Sequence, residues 1–233
     1  RALKNEGVDT FFFLYGGPII HIMVELKALG IECVYARHEQ SAAMEAHAYS
    51  RVTGKAGVCI TAAGPGTTNA VTGIANALVD CCPVITLGGA SPVAQFGMGA
   101  WQELDQLAVM KTVTKWADRV TDTRRIPELI STAFRQATTG KPGPTYVDFP
   151  VDMIEGEVDE SEVVYPVGSR TTARPPGDPN LIREAAEILA KAERPIVLAG
   201  TGVFWSQAGQ EFQEFVEKTN IPFYTMPQTR GIV

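Results

Sequence analysis

A chain of 233 residues with 45% hydrophobic and 20% charged side chains has the composition of an ordinary globular protein. Its length suits one large domain, or one of about 150 residues plus part of another. A formal charge of −6 without long like-charge blocks argues against nucleic-acid or anionic-membrane partners, and no run approaches the roughly 20 apolar residues of a membrane span.

In chain order, short β-branched or aromatic runs alternate with helical ones, the pattern of an α/β fold: an open parallel sheet with helices on both faces. Arg1-Ala2-Leu3-Lys4 reads as the middle of a helix with no start Met or cap. Thr10–Tyr15 reads as a first strand, followed by Gly16-Gly17-Pro18 and a helix to about Leu29, with Pro18 suited to the first helical turn. Glu32–Ala36 is a second strand and His38–Val52 an Ala-rich helix; Gly57–Thr61 is a third strand, then Gly64-Pro65-Gly66 and a helix over Thr67–Val79. Pro83–Leu87 reads as a fourth strand, Gly88 to Gly99 as a glycine-rich loop, and the region around Gln102–Met110 as a short helix. A strand near Lys115–Val120, a helix over Ile126–Thr139 and a strand over Thr145–Phe149 close a domain spanning 1–152.

Residues 153–178 read as a linker, acidic and then rich in Pro, Gly and Arg. From 179 to 233 a second strand–helix pattern starts: a helix over Leu181–Ala192, strands at Pro195–Ala199 and Pro222–Met226, and a helix over Gln210–Thr219. This is the expected beginning of a Rossmann-like domain, so the chain reads as a fragment of a longer polypeptide. Cys33, Cys59, Cys81 and Cys82 form no C-x-x-C pair and lie in apolar segments, which predicts small buried thiols in a reducing, cytoplasmic compartment. His21, His38 and His47 do not fall at zinc-ligand spacings from them, so no metal site is expected here.

Ligands of open parallel sheets bind beyond the carboxyl ends of the strands. Four features gather there: Gly16-Gly17-Pro18, Arg37-His38-Glu39-Gln40, the Gly64-to-Asn69 turn and the loop holding Trp101-Gln102-Glu103. The 64–66 turn lacks the Lys and hydroxyl of a phosphate loop, and Gly200-Thr201-Gly202 has Trp205 where a dinucleotide fingerprint needs its third glycine.

Together, R-H-E-x-x-A-A at 37–43, G-P-G-x-T-N at 64–69, A-x-Q-E-x-D-Q at 100–106, T-K-W at 114–116, G-P-x-Y-V-D-x-P at 143–150 and R-P-I-V-L-A-G at 194–200 are distinctive. The chain resembles thiamine-diphosphate enzymes of the acetohydroxyacid-synthase group, which includes acetolactate synthase, benzaldehyde lyase, oxalyl-coenzyme A decarboxylase and 2-hydroxyacyl-coenzyme A lyase. The resemblance implies a pyrimidine-binding N-terminal domain and a partial central one. It implies that Glu39 is the activating carboxylate, hydrogen-bonding a ring nitrogen of the aminopyrimidine, with Pro65, Asn69 and Gly16 against the cofactor. Gly17, Pro18, Trp101 and Gln102 then face the substrate; Trp101 replaces the usual Phe, and Gly-x-Pro at 16–18 is similar to the acyl-coenzyme A lyases and decarboxylases.

The implied reaction is lysis, decarboxylation or carboligation next to a carbonyl of a small 2-oxo or 2-hydroxy acyl compound, free or carried on coenzyme A. The family's magnesium and diphosphate motif, G-D-G followed by N-N, has no match in 1–233. Mg2+ ligands are therefore expected in a further domain, and this piece alone is expected to be inactive. Some members bind flavin adenine dinucleotide or an adenine nucleotide in the central domain; Lys111, where flavin-binding members place an arginine, argues against flavin. The resemblance also implies a homodimer or homotetramer with the site between subunits. The alternative is a non-catalytic binding or dimerisation module of the same fold.

Overall fold

The computed structural model describes residues 1–168 and 173–233. Residues 169–172, inside the expected linker, lie outside the described residues. The chain divides into two compact units, the first ending at residue 170.

The first unit is built on six parallel strands: β1 (Thr10–Phe13), β2 (Glu32–Tyr35), β3 (Gly57–Thr61), β4 (Val84–Ala90), β5 (Trp116–Arg119) and β6 (Thr145–Pro150), in the order β2-β1-β3-β4-β6-β5. Its helices are α1 (Ala2–Asn5), α2 (Ile20–Ala28), α3 (Glu39–Thr53), α4 (Pro65–Val79), α5 (Gln106–Lys111), α6 (Ile126–Thr138) and α7 (Val151–Ile154). The fold is the expected parallel α/β sheet. From β1 the chain steps to β2 on one side, then crosses to β3 on the other, so the strand order reverses at the β1/β3 boundary. That is where a crevice opens in such sheets.

The period-2 alternation of the strands separates two different faces. Phe11, Val58, Ile60, Ile85, Leu87, Val147 and Phe149 join Leu26 of α2 and Leu129, Ile130 and Phe134 of α6 in one apolar core. Each such side chain contributes about 1.5–3 kcal/mol on burial. The opposite face carries Cys59, Thr61, Thr86, Gly88, Tyr146 and Asp148, all buried beneath the α3–α4 side. Small residues let helices come in closely there. A side chain at Gly57 would overlap the Ala46 carbonyl of α3, and one at Gly73 would stand 2.7 Å from the Ala43 Cβ. Across this tight seam His47 pairs through Nδ1 with Asn76 Nδ2 at 3.3 Å, and its Nε2 lies 3.3 Å from Asp80. Burial lowers the His47 pKa, against the pull of Asp80.

Several details differ from the expectations. Gly88-Gly89-Ala90 is buried strand, not loop, because a side chain at Gly88 would collide with the Tyr146 hydroxyl and with Thr67 Oγ1 at 2.8 Å. The α5 helix starts at Gln106, not near 102, because Gln102 has φ +58 and Asp105 supplies the N-cap, its Oδ1 accepting from the Ala108 amide. The helix Val151–Ile154 carries its last two residues into the expected linker. Cys33 and Cys81 are only half-buried; Cys59 and Cys82 are buried, and burial pushes the Cys82 thiol up to about 11.

In the second unit, α8 (Pro179–Lys191), α9 (Thr201–Trp205) and α10 (Gly209–Thr219) accompany a parallel pair, β7 (Val197–Ala199) and β8 (Phe223–Thr225). Asp178 caps α8 by accepting from the amides of Asn180 and Leu181. The α9 helix was not anticipated: glycines at 200 and 202 masked a single turn. Among the described residues, no helix is long and apolar enough to cross a membrane.

Candidate active site

Four connections converge beyond the carboxyl ends of β1, β2, β3 and β4. After β2, His38 caps α3, its Nδ1 accepting from the Gln40 amide at 3.1 Å, and so starts the helix at Glu39. Glu39 is 6% exposed. A buried carboxylate requires a donor, and Asn69 on α4 supplies it, its Nδ2 donating to Oε2 at 3.0 Å. The other oxygen, Oε1, faces Gly66, where a Cβ would stand 2.9 Å from it and 2.8 Å from the Ala62 Cβ. Only glycine at 66 can pack this closely against that oxygen. A side chain at Gly16, after β1, would run into the same Ala62, so Gly16, Ala62, Gly66 and Glu39 are in series.

The turn that brings Asn69 here is sharply defined. Gly64 adopts φ +53 and ψ −110, the values of the first central position of a type II′ turn, where L side chains are strained. The Gly66 amide donates to the Ala63 carbonyl at 3.1 Å and closes the turn. Pro65 follows at the first position of α4 and is exposed. The 91–105 loop reaches the same turn: a side chain at Gly64 would overlap the Gln102 carbonyl. Gln102 itself holds a left-handed conformation that costs about 1–2 kcal/mol.

That loop is held from within. Glu103 accepts from the amides of Gly97, Gly99 at 2.9 Å and Ala100 at 3.0 Å. These bonds, the Gly97 amide first, hold the Glu103 carboxyl below its ordinary range. A depressed folded-state value means that the carboxylate stabilises the loop above the ordinary Glu range and that this support disappears as pH falls through the depressed value. The protection factors of amides 97–100, relative to intrinsic exchange at each pH, are therefore expected to fall on acidification below about pH 4; a Glu103→Gln variant should show that lower protection already at neutral pH.

The structure thus groups Glu39, Asn69, Gly16, Pro65 and the Gln102 backbone around one turn. Pro18 packs near Gly89, 3.0 Å from where its Cβ would be, and Gly17 has open space beside it. The Trp101 side chain is 84% exposed, and its carbonyl accepts from Ser91 Oγ at 3.2 Å. A separate recess of about 320 Å3, lined by Leu3, Ile22, Leu26, Ile130, Phe149 and Tyr165 among others, lies on the apolar face, and no candidate residue lines it.

Residues 1–109 match the family model "Thiamine pyrophosphate enzyme, N-terminal TPP binding domain" and 182–233 match "Thiamine pyrophosphate enzyme, central domain". The chain belongs to the thiamine pyrophosphate enzymes. It is 38% identical to a probable acetolactate synthase large subunit of Methanocaldococcus jannaschii, over 99% of this chain and 40% of that protein. It is 34% identical to a 2-hydroxyacyl-CoA lyase of Arabidopsis thaliana and 33% to an oxalyl-CoA decarboxylase of Escherichia coli, in each case over all of this chain and 42% of the relative. The chain therefore spans about two fifths of the length of these relatives.

Sequence reading singles out Glu39 and Asn69, which the structure joins by a hydrogen bond, but passes over what lies beneath them. Gln106, 1% exposed, and Asp148, fully buried, sit directly under the Gly64 turn with Tyr146 and Arg119. All but Arg119 stand inside motifs quoted above; a polar residue alternating with Val147 and Phe149 was the available signal.

Proposed function

We propose that the complete protein is a thiamine-diphosphate-dependent lyase, decarboxylase or carboligase acting next to the carbonyl of a 2-oxo or 2-hydroxy acyl compound, with Glu39 as its catalytic carboxylate. One observation carries this reading. Glu39 is buried, with one oxygen anchored by Asn69 and the other packed against Gly66 in a contact that only glycine permits, beside the exposed Pro65. This donor set suits an aminopyrimidine: an acceptor oxygen, already desolvated, that can hold or share a proton at a ring nitrogen.

When bound, thiamine diphosphate supplies the electron sink for the carbanion formed at the carbonyl carbon. The residues of this chain do the rest by position. Asn69 fixes the Glu39 rotamer, so the proton is held at Oε1 in one geometry. Pro65 offers an exposed ring face and Gly16 a close approach, both of which support contact with the pyrimidine. Gly17, Pro18, Trp101 and Gln102 form the substrate side, and the exposed Met98, Trp101 and Leu104 support a subunit interface over it.

In this reading 1–152 is the pyrimidine-binding domain, 153–178 a linker and 179–233 the start of the central domain, while Mg2+ and the diphosphate are held by segments beyond residue 233. Isothermal titration of the complete protein with thiamine diphosphate and Mg2+ is expected to show tight, metal-dependent binding, and residues 1–233 alone to show none. No binding by the complete protein would sink the cofactor reading; submicromolar binding by 1–233 would sink the division of labour.

A further inference from the structure

The closing Gln106 of A-x-Q-E-x-D-Q and the Tyr146 and Asp148 of G-P-x-Y-V-D-x-P have no part in the chemistry above, yet they meet in one buried network. The Gln106 amide group bridges three elements. Its Oε1 accepts from the Gly64 amide at 2.5 Å; its Nε2 lies 2.7 Å from the Gly89 carbonyl, 2.5 Å from Asp148 Oδ1 and 2.7 Å from the Tyr146 hydroxyl. The orientation of the amide follows from chemistry alone: an N–H stands on one side, a carbonyl and a carboxylate on the other.

The partners do not depend on Gln106 equally. Asp148 keeps two other donors, the Tyr146 hydroxyl at 2.7 Å and Arg119 Nε at 2.5 Å. The Gly64 amide is different. It is buried, it sits in a conformation that costs energy for any other residue, and Gln106 Oε1 is its acceptor among the described residues. The turn whose far side carries Pro65, Gly66 and Asn69 is thus pinned from below by one side chain.

We propose that Gln106 is a positioning residue: through the Gly64 amide it holds the Pro65–Gly66 turn at the distance from Glu39 that the cofactor ring requires. Arg119 extends the same scaffold to the substrate-side loop, its guanidinium lying over the Phe96 ring at 4.5 Å while its Nε holds Asp148. Cofactor seat and substrate loop are therefore fastened to one buried carboxylate. This inference rests on the thiamine-diphosphate reading given above.

The test uses the complete protein and Gln106→Met, which keeps volume and removes the acceptor. Without cofactor, amides in a peptide covering 62–69 should exchange about fivefold to tenfold faster, the factor one lost hydrogen bond provides, while β4 and β6 peptides stay unchanged. The Kd for thiamine diphosphate should rise about tenfold or more, with substrate KM little altered at saturating cofactor. Unchanged exchange at 62–69 with unchanged Kd overturns the proposal, as does acceleration spread evenly over the domain, which a purely structural residue would produce.

Should Gln106→Met not fold, Gln106→Glu decides. Its carboxyl can serve Gly64, but beside Asp148 both cannot be ionised without strong repulsion. Cofactor affinity should then approach wild type at low pH and worsen as pH rises, relative to wild type measured in parallel; a pH profile parallel to wild type overturns the proposal. If the wild-type protein itself binds no thiamine diphosphate, the functional reading fails and this inference with it. Binding by wild type with unaltered variants sinks the inference alone.

Discussion

Glu39→Gln is expected to lower turnover by about 10²–10⁴-fold, the range that general acid–base catalysis by one placed side chain supplies. The substitution is nearly isosteric. Its amide oxygen can still accept from Asn69 Nδ2, so the α3–α4 contact survives and the fold should be unchanged. What disappears is the negative charge facing Gly66. An amide cannot hold a ring proton there, so the loss should appear in kcat at saturating cofactor and substrate, with the denaturation midpoint moved little. A Gln variant that turns over at near wild-type rate would remove Glu39 from the chemistry. A variant that fails to fold would instead show that the Asn69 bond needs a charge.

The second large effect concerns stability. Asp148 is fully buried and its charge is compensated by Arg119, whose side chain is mostly covered. Arg119→Leu leaves that carboxylate with neutral donors only, the circumstance that typically costs about 3–5 kcal/mol. The Phe96 contact goes with it, worth about 0.5–1 kcal/mol more. Urea denaturation followed by far-UV circular dichroism should show the midpoint falling at unchanged slope. Adding Asp148→Asn removes the uncompensated charge and should restore part of the loss, a non-additivity that a merely packing role for Arg119 would not produce. A loss under about 1 kcal/mol for Arg119→Leu would mean that Tyr146 and Gln106 suffice for Asp148.

These two expectations sit on different links of the chain from sequence to function. Glu39 was singled out by the resemblance that the motifs at 37–43 and 64–69 carry, whereas its place at the start of a helix was legible because the signal is local: a short strand and a turn lie within a few residues. The turn at Gly64-Pro65-Gly66 was legible for the same reason. Gly88 and Gly89 were not. Two adjacent glycines after an apolar run suggest a loop, and only the arrival of Tyr146 from β6, far along the chain, makes them necessary in a strand. Likewise Gln106 opens a short amphipathic helix and looks like a solvated residue until the 64 turn and β6 close over it.

Periodicity of two and of 3.6 residues determined the alternation of elements and the parallel sheet, because those patterns are written within single elements. Which side chain faces which was decided by the sheet order and by close approaches across α3, α4 and β6. A hydrogen bond between residues thirty or forty positions apart leaves no trace in local pattern, and the network that seats the Gly64 turn consists of such bonds.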